Sequence, residues 1–210
     1  MTEEKEKYPV GLSIDYTEKA DRLTSFFRIF TVIPIAVILA LLLGYEHDSD
    51  CSHTSEWAFY SAGFVFIPAL LMILFRKKYP RWWFDWNVAL TKFCARVFSY
   101  LILLTHEYPS TDEDQAVHIE IPYPDAKTEL QRGMPLVKWF LSIPHVFILA
   151  FLYIALVACT VIAWFAILFT GSYPRGMFDF VVGVMRWSLR VEAYAFLLTT
   201  DRYPPFRLGE

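Results

Sequence analysis

The chain has 210 residues, a formal net charge of −3, 56% hydrophobic and 18% aromatic residues, and a mean hydropathy of +0.36. A weakly acidic chain without Lys/Arg runs between polar residues is not built to track phosphates, so nucleic acid is excluded as a partner. Three distant cysteines, Cys51, Cys94 and Cys159, exclude a disulfide scaffold and argue against a thiolate zinc site.

The opening segment, MTEEKEKYPV, is polar and charged. It predicts no cleavable leader. Apolar runs follow at 26–45 and, without any charge, at 57–75. Each has about the 20 residues needed to cross a hydrocarbon core. The polar loop EHDSDCSHTSE joins them. Two hydrophobic segments that carry charges, 82–104 and 177–198, are expected to form amphipathic helices. Residues 110–131 read as a polar, proline-containing linker. A third apolar stretch, 136–169, has one charge, Lys138. It is long for one helix and short for two, so a tight hairpin competes with a single long helix broken at Pro144.

Comparing the chain with itself aligns two halves. Arg22–Pro34 (RLTSFFRIFTVIP) meets Arg132–Pro144 (RGMPLVKWFLSIP), pairing Arg28 with Lys138. LFRKKYPRWWFDW meets LFTGSYPRGMFDF, and ARVFSYLILLTHEYP meets LRVEAYAFLLTTDRYP. Shared Arg, Asp and Tyr-Pro-Arg positions are not explained by hydrophobic composition. The expected units are residues 1–109 and 132–210, and the repeat favours a hairpin for 136–169, turning near Ile154–Cys159.

Lys5, Lys7, Lys19 and Arg22 precede the first span, Arg76, Lys77, Lys78 and Arg81 follow the second, and the loop between has no Lys or Arg. The positive-inside rule puts both flanks in the cytoplasm. Spanning amphipathic helices would invert the two units, and interfacial ones would leave them parallel. The charge distribution favours the interfacial arrangement.

Asp85, Lys92 and Arg96 fall on one helical face, as do their equivalents Asp179, Arg186 and Arg190. This stripe is the main candidate site. It would contact lipid headgroups or form cross-repeat pairs, Asp85 with Arg186 or Arg190 and Asp179 with Lys92 or Arg96. His47, Cys51 and His53 are weak metal-ligand candidates in a loop that reads better as a polar connector. His145 reads as a hydrogen-bonded structural histidine, and Trp82, Trp83 and Trp86 as an aromatic belt. No nucleophile elbow, phosphate loop or zinc helix occurs, so no cofactor and no enzymatic activity are expected.

The phrases WFAILFTGSYP, RW..RV.AY and DRYPPF resemble the signature of a bacterial integral-membrane family known only as domain of unknown function 4389, over residues 132–207. The first half keeps the pattern in degraded form. The resemblance implies a multi-pass protein of the bacterial inner membrane and supplies no activity. The expected architecture is all-α: two tandem repeats, each a transmembrane helical hairpin followed by an amphipathic interfacial helix. The expected function is a non-enzymatic scaffold, accessory subunit or lipid-organising protein. Its partners would be membrane lipids and either other membrane proteins or further copies of the chain. The alternative is a small transporter or channel with a pathway at the repeat interface.

Overall fold

A computed structural model describes residues 8–17, 21–42, 67–111, 113, 115–126, 130–131 and 133–209. In order these form β1 (Gly11–Ile14), α1 (Arg22–Leu42), α2 (Ile67–Arg76), α3 (Arg81–Leu101), β2 (Val117–Glu120), α4 (Met134–Thr170) and α5 (Arg175–Ala195). The described chain is mostly helical. The acidic, histidine-containing loop and the first part of the expected second span lie outside the described residues.

The stretch expected as a hairpin is one continuous helix. α4 runs for 37 residues, about 55 Å at the helical rise. The reason lies in its middle: LYIALVACTV, residues 152–161, contains no Gly, Pro, Asn or Asp to make a turn. A turn there would strand backbone groups among apolar side chains. Pro144 sits inside the helix without ending it. α4 is the one described helix that is by itself long and apolar enough to cross a membrane, with 17% of its most hydropathic window buried. α1 also contains a proline, Pro34. It bends by 50° between Arg22–Arg28 and Phe30–Ala40, where Pro34 cannot donate to the Phe30 carbonyl.

Both amphipathic helices are 21 residues long and start after a proline of extended backbone, Pro80 (φ −64, ψ 131) and Pro174 (φ −62, ψ 123). The turns before them also correspond. Gly171 caps α4 at φ 77, its N–H bonded to the Ile167 carbonyl at 2.8 Å. Lys77 takes the same left-handed role at φ 46, bonded to the Ile73 carbonyl at 3.1 Å. A lysine there is strained where a glycine is not.

α5 is not an interfacial helix with one free face. It packs against α4 on one side and β1 on the other. Phe178, Val181, Val184, Leu189, Ala193 and Tyr194 are all buried. β1 and β2, neither foreseen from the sequence, form a two-stranded antiparallel ribbon with Leu12 opposite Ile119. Leu12, Ile14, Val117 and Ile119 turn inward, while Ser13, His118 and Glu120 face out. α4 lies on the far side of α5 and exposes Phe140, Phe147, Phe151, Ile154, Val161 and Phe169 along its length. The molecule is therefore layered, with an apolar outer helix, a buried middle helix and a polar-faced ribbon.

Two substitutions test these elements. Ala155→Pro, on the exposed side of α4, should cost about 3 kcal/mol by removing a helical hydrogen bond. A turn at 154–159 would tolerate it, and thermal unfolding in detergent distinguishes the two. Lys77→Gly should raise stability by about 1 kcal/mol by relieving the left-handed strain, seen as a higher Tm.

Candidate functional site

The strongest polar constellation is a pair of buried cations on the long apolar helices. Arg28 of α1 and Lys138 of α4 are 2% and 0% exposed. A buried cation must be compensated by hydrogen bonds or an opposite charge. Arg28 donates to the Tyr100 carbonyl at 2.8 Å and to His106 Nδ1 at 3.0 Å. Its guanidinium lies 4.4 Å from the Tyr100 ring centroid. Lys138 donates to the Thr200 carbonyl at 2.7 Å and pairs with Asp201 at 2.6 Å. Its ammonium lies 5.2 Å from the Tyr194 ring. Tyr100 and Tyr194 are aligned positions, and His106 and Asp201 open the matching HEYP and DRYP segments. In each half a cation on the first long helix thus grips the segment that leaves the amphipathic helix.

The strand-proximal tyrosines are equally matched. Tyr16 donates to the Tyr173 carbonyl at 2.7 Å, stacks edge-on against Phe178 at 5.0 Å and lies under Arg175. Tyr123 donates to the Tyr79 carbonyl, meets Phe84 edge-on at 5.1 Å and lies under Arg81. The tyrosine that precedes the first half therefore serves the second, and the reverse. The signal was present in the sequence as VGLSIDY (10–16) and VHIEIPY (117–123). It was missed because each strand is only four residues long.

The charged stripe divides. Asp85 and Asp179 are exposed. Arg96 is buried and donates to the Ser110 carbonyl at 2.9 Å. Arg186 donates to the carbonyls of Leu12, at 2.9 Å, and Leu208, and Arg190 donates to that of Arg207. These arginines meet backbone carbonyls in β1 and in the segments that follow α3 and α5. The ion pairs between described residues are Lys138–Asp201 and Asp15–His118. Lys92 is half-buried on α3.

His145 accepts a hydrogen bond from Trp187 Nε1 at 3.1 Å and stacks on Phe206 at 4.0 Å, which fixes the C-terminal tail against α4. Leu208 then lies so close to Gly183 that a Cβ there would meet it at 2.9 Å. Trp82 and Trp86 are exposed, whereas Trp83 is buried and stacked on Trp86. No His/Cys/Asp/Glu group able to hold a metal occurs among the described residues. His47, Cys51 and His53 lie outside them.

A cavity of about 620 Å³ opens between α3, α4 and α5. Its walls are mainly Leu90, Val146, Leu149, Val191 and Leu197, with polar contributions from Asn87, Thr91, Ser188 and Glu192. The stripe does not line it.

Residues 134–207 match a family described as a domain of unknown function, DUF4389. The match covers α4, α5, the Lys138–Asp201 contact and the His145–Trp187–Phe206 cluster. No curated protein and no solved structure matches the chain.

Two predictions concern the buried cations. Asp201→Asn leaves Lys138 without its counter-charge and should destabilise by on the order of 3–5 kcal/mol, measured by denaturant unfolding. Lys138→Met/Asp201→Asn together should recover part of that loss. In the first half, burial and the neighbouring Arg28 hold His106 below the ordinary histidine pKa, and Asp21 opposes this. The folded state then binds fewer protons than the unfolded chain, so this contribution is complete above the ordinary value and is lost as pH falls below it. Tm should drop between pH 7.5 and 5.5, and His106→Gln should reduce that drop.

Proposed function

We propose that the chain is a non-enzymatic integral membrane protein that acts as a scaffold or accessory subunit, or by organising lipid around its apolar helices. One observation carries the reading: α4 presents an uninterrupted apolar face along 37 residues. Soluble proteins rarely leave contiguous apolar patches of this kind open. α1 adds Leu23, Phe26, Phe30 and Ile33. Lipid is the solvent that such a surface fits. About 20 of the α4 residues suffice to cross the hydrocarbon core. The basic flanks favour a cytoplasmic N-terminus, and the family resemblance favours the bacterial inner membrane.

The same reading takes the two halves as copies of one unit. Matched cations, matched tyrosines and matched turns support it. The β ribbon supports it independently: equating residues 10–16 with 117–123 exchanges the ladder pairs Gly11–Glu120 and Ser13–His118 and maps Leu12–Ile119 onto itself. On this reading α4 of the second half corresponds to α1 and α2 of the first.

Transport is the second reading, favoured by the cavity between α3 and α5. Two measurements separate these ideas. The protein should remain in the membrane pellet after alkaline carbonate washing, and release into the supernatant would remove the membrane reading. Reconstituted vesicles should hold entrapped ions as tightly as empty ones if the protein is a scaffold. Solute flux that depends on the protein would replace scaffold with transport.

A further inference from the structure

We propose that the α3–α4–α5 cavity is a binding site for a lipophilic amine, a molecule with an apolar body and one ammonium group. The volume suits a small ligand. The apolar walls call for a hydrocarbon or aromatic body, and Val146 and Tyr153, both partly open to the exterior, place an entrance on the apolar α4 side. A ligand arriving there comes from an apolar phase. This step rests on the membrane reading.

The polar end is acceptor-rich. Glu192 of α5 lines the cavity, and Thr91 donates to its carboxyl at 3.3 Å. Neither of the two ion pairs formed between described residues involves Glu192. Asn87 is 2% exposed; its amide N–H faces the Tyr79 hydroxyl oxygen, while its Oδ1 meets no hydrogen-bond partner among the described residues. The Tyr79 hydroxyl donates to the Leu197 carbonyl, so it offers Asn87 Oδ1 no proton. Buried amide oxygens without a donor are rare and call for an explanation. An ammonium donating to Glu192 and to Asn87 Oδ1 supplies what both lack. Burial also holds the Glu192 carboxyl above the ordinary carboxylate range, with Thr91 opposing, so a proton competes with the ammonium for the empty site.

The fold itself does not require these groups. At the aligned positions of the other half, Asn87 corresponds to Val181, Thr91 to Met185 and Glu192 to Phe98. Val181 is fully buried without any polar partner to satisfy. The polar groups thus occur on one side of the repeat relation only, where the cavity is.

Dansylcadaverine, which carries one free primary amine, and its N-acetylated analogue provide the test. Each is titrated into the full-length protein in phosphatidylcholine nanodiscs, with dansyl emission as the readout. The amine should bind with micromolar affinity at pH 8 and more weakly at pH 6. The acetylated form should bind at least about tenfold more weakly, the scale of one charge-assisted hydrogen bond. Glu192→Gln should remove the discrimination between the two probes. Thr91→Val, a nearly isosteric change, should weaken the amine modestly and guards against misfolding of the first variant. Equal binding of both probes, no binding of the amine, or an unaltered Glu192→Gln profile would overturn the proposal. Carbonate washing of the membranes from which the protein is purified reports membrane insertion separately, so the site can fail while the membrane reading stands.

Discussion

A cation placed inside an apolar helix surface dictates much of what surrounds it. Lys138 is fully buried on α4, and a lone ammonium there would cost several kcal/mol. The Thr200 carbonyl and Asp201 must therefore come to it, which brings the end of α5 back along α4. The Tyr194 ring covers the ammonium, and Tyr203 donates to the Leu141 carbonyl alongside. With the tail fixed there, α5 packs against the 37-residue helix. Leu198, three residues past the end of α5, is held at φ 55 with its side chain fully buried. That strain is tolerable because the contacts around it leave no other route for the chain.

The N-terminal strand follows from the same arrangement. α5 packs on α4 by one face, and its other face would be open if nothing covered it. β1 fills that position, with Arg186 reaching the Leu12 carbonyl and Tyr16 closing over Phe178. The first half takes its cover from β2, which follows α3 in sequence. Each half is thus completed by a strand, and the two strands pair with each other. A ribbon joined in this way couples the halves through backbone hydrogen bonds as well as through the α1–α4 contact.

The helices were legible in the sequence to within a few residues, since Tyr-Pro punctuates each amphipathic helix and charge periodicity marks its faces. α3 occupies 81–101 and α5 occupies 175–195, against 82–104 and 177–198 expected. The hairpin followed from the repeat, which equates 136–169 with two spans, although residues 152–161 hold nothing that turns a chain. The backbone contacts of the charged stripe were hidden for a different reason. Helical spacing places residues on a face but says nothing of what packs there, and Arg96, Arg186 and Arg190 found carbonyls in segments assigned to loops. The buried cations were visible as the aligned pair Arg28 and Lys138. Their importance was not, because their partners lie 62 to 78 residues away in sequence.

Where the halves agree, the agreement is structural: cations, tyrosine contacts and turns all hold helices in place. Where they differ, packing alone gives no reason for the difference. Val181 and Met185 fill their positions as ordinary buried apolar residues. Asn87 and Thr91 stand at the equivalent positions of α3 and face a space that stays open. An apolar pair at these two sites would bury more hydrocarbon and leave no amide unsatisfied, and so would be the more stable choice. Stability therefore does not account for Asn87, Thr91 and Glu192 on the cavity wall. A polar ligand group does, because it gives the Asn87 Oδ1 a donor and the Glu192 carboxyl a counter-charge at the moment of binding.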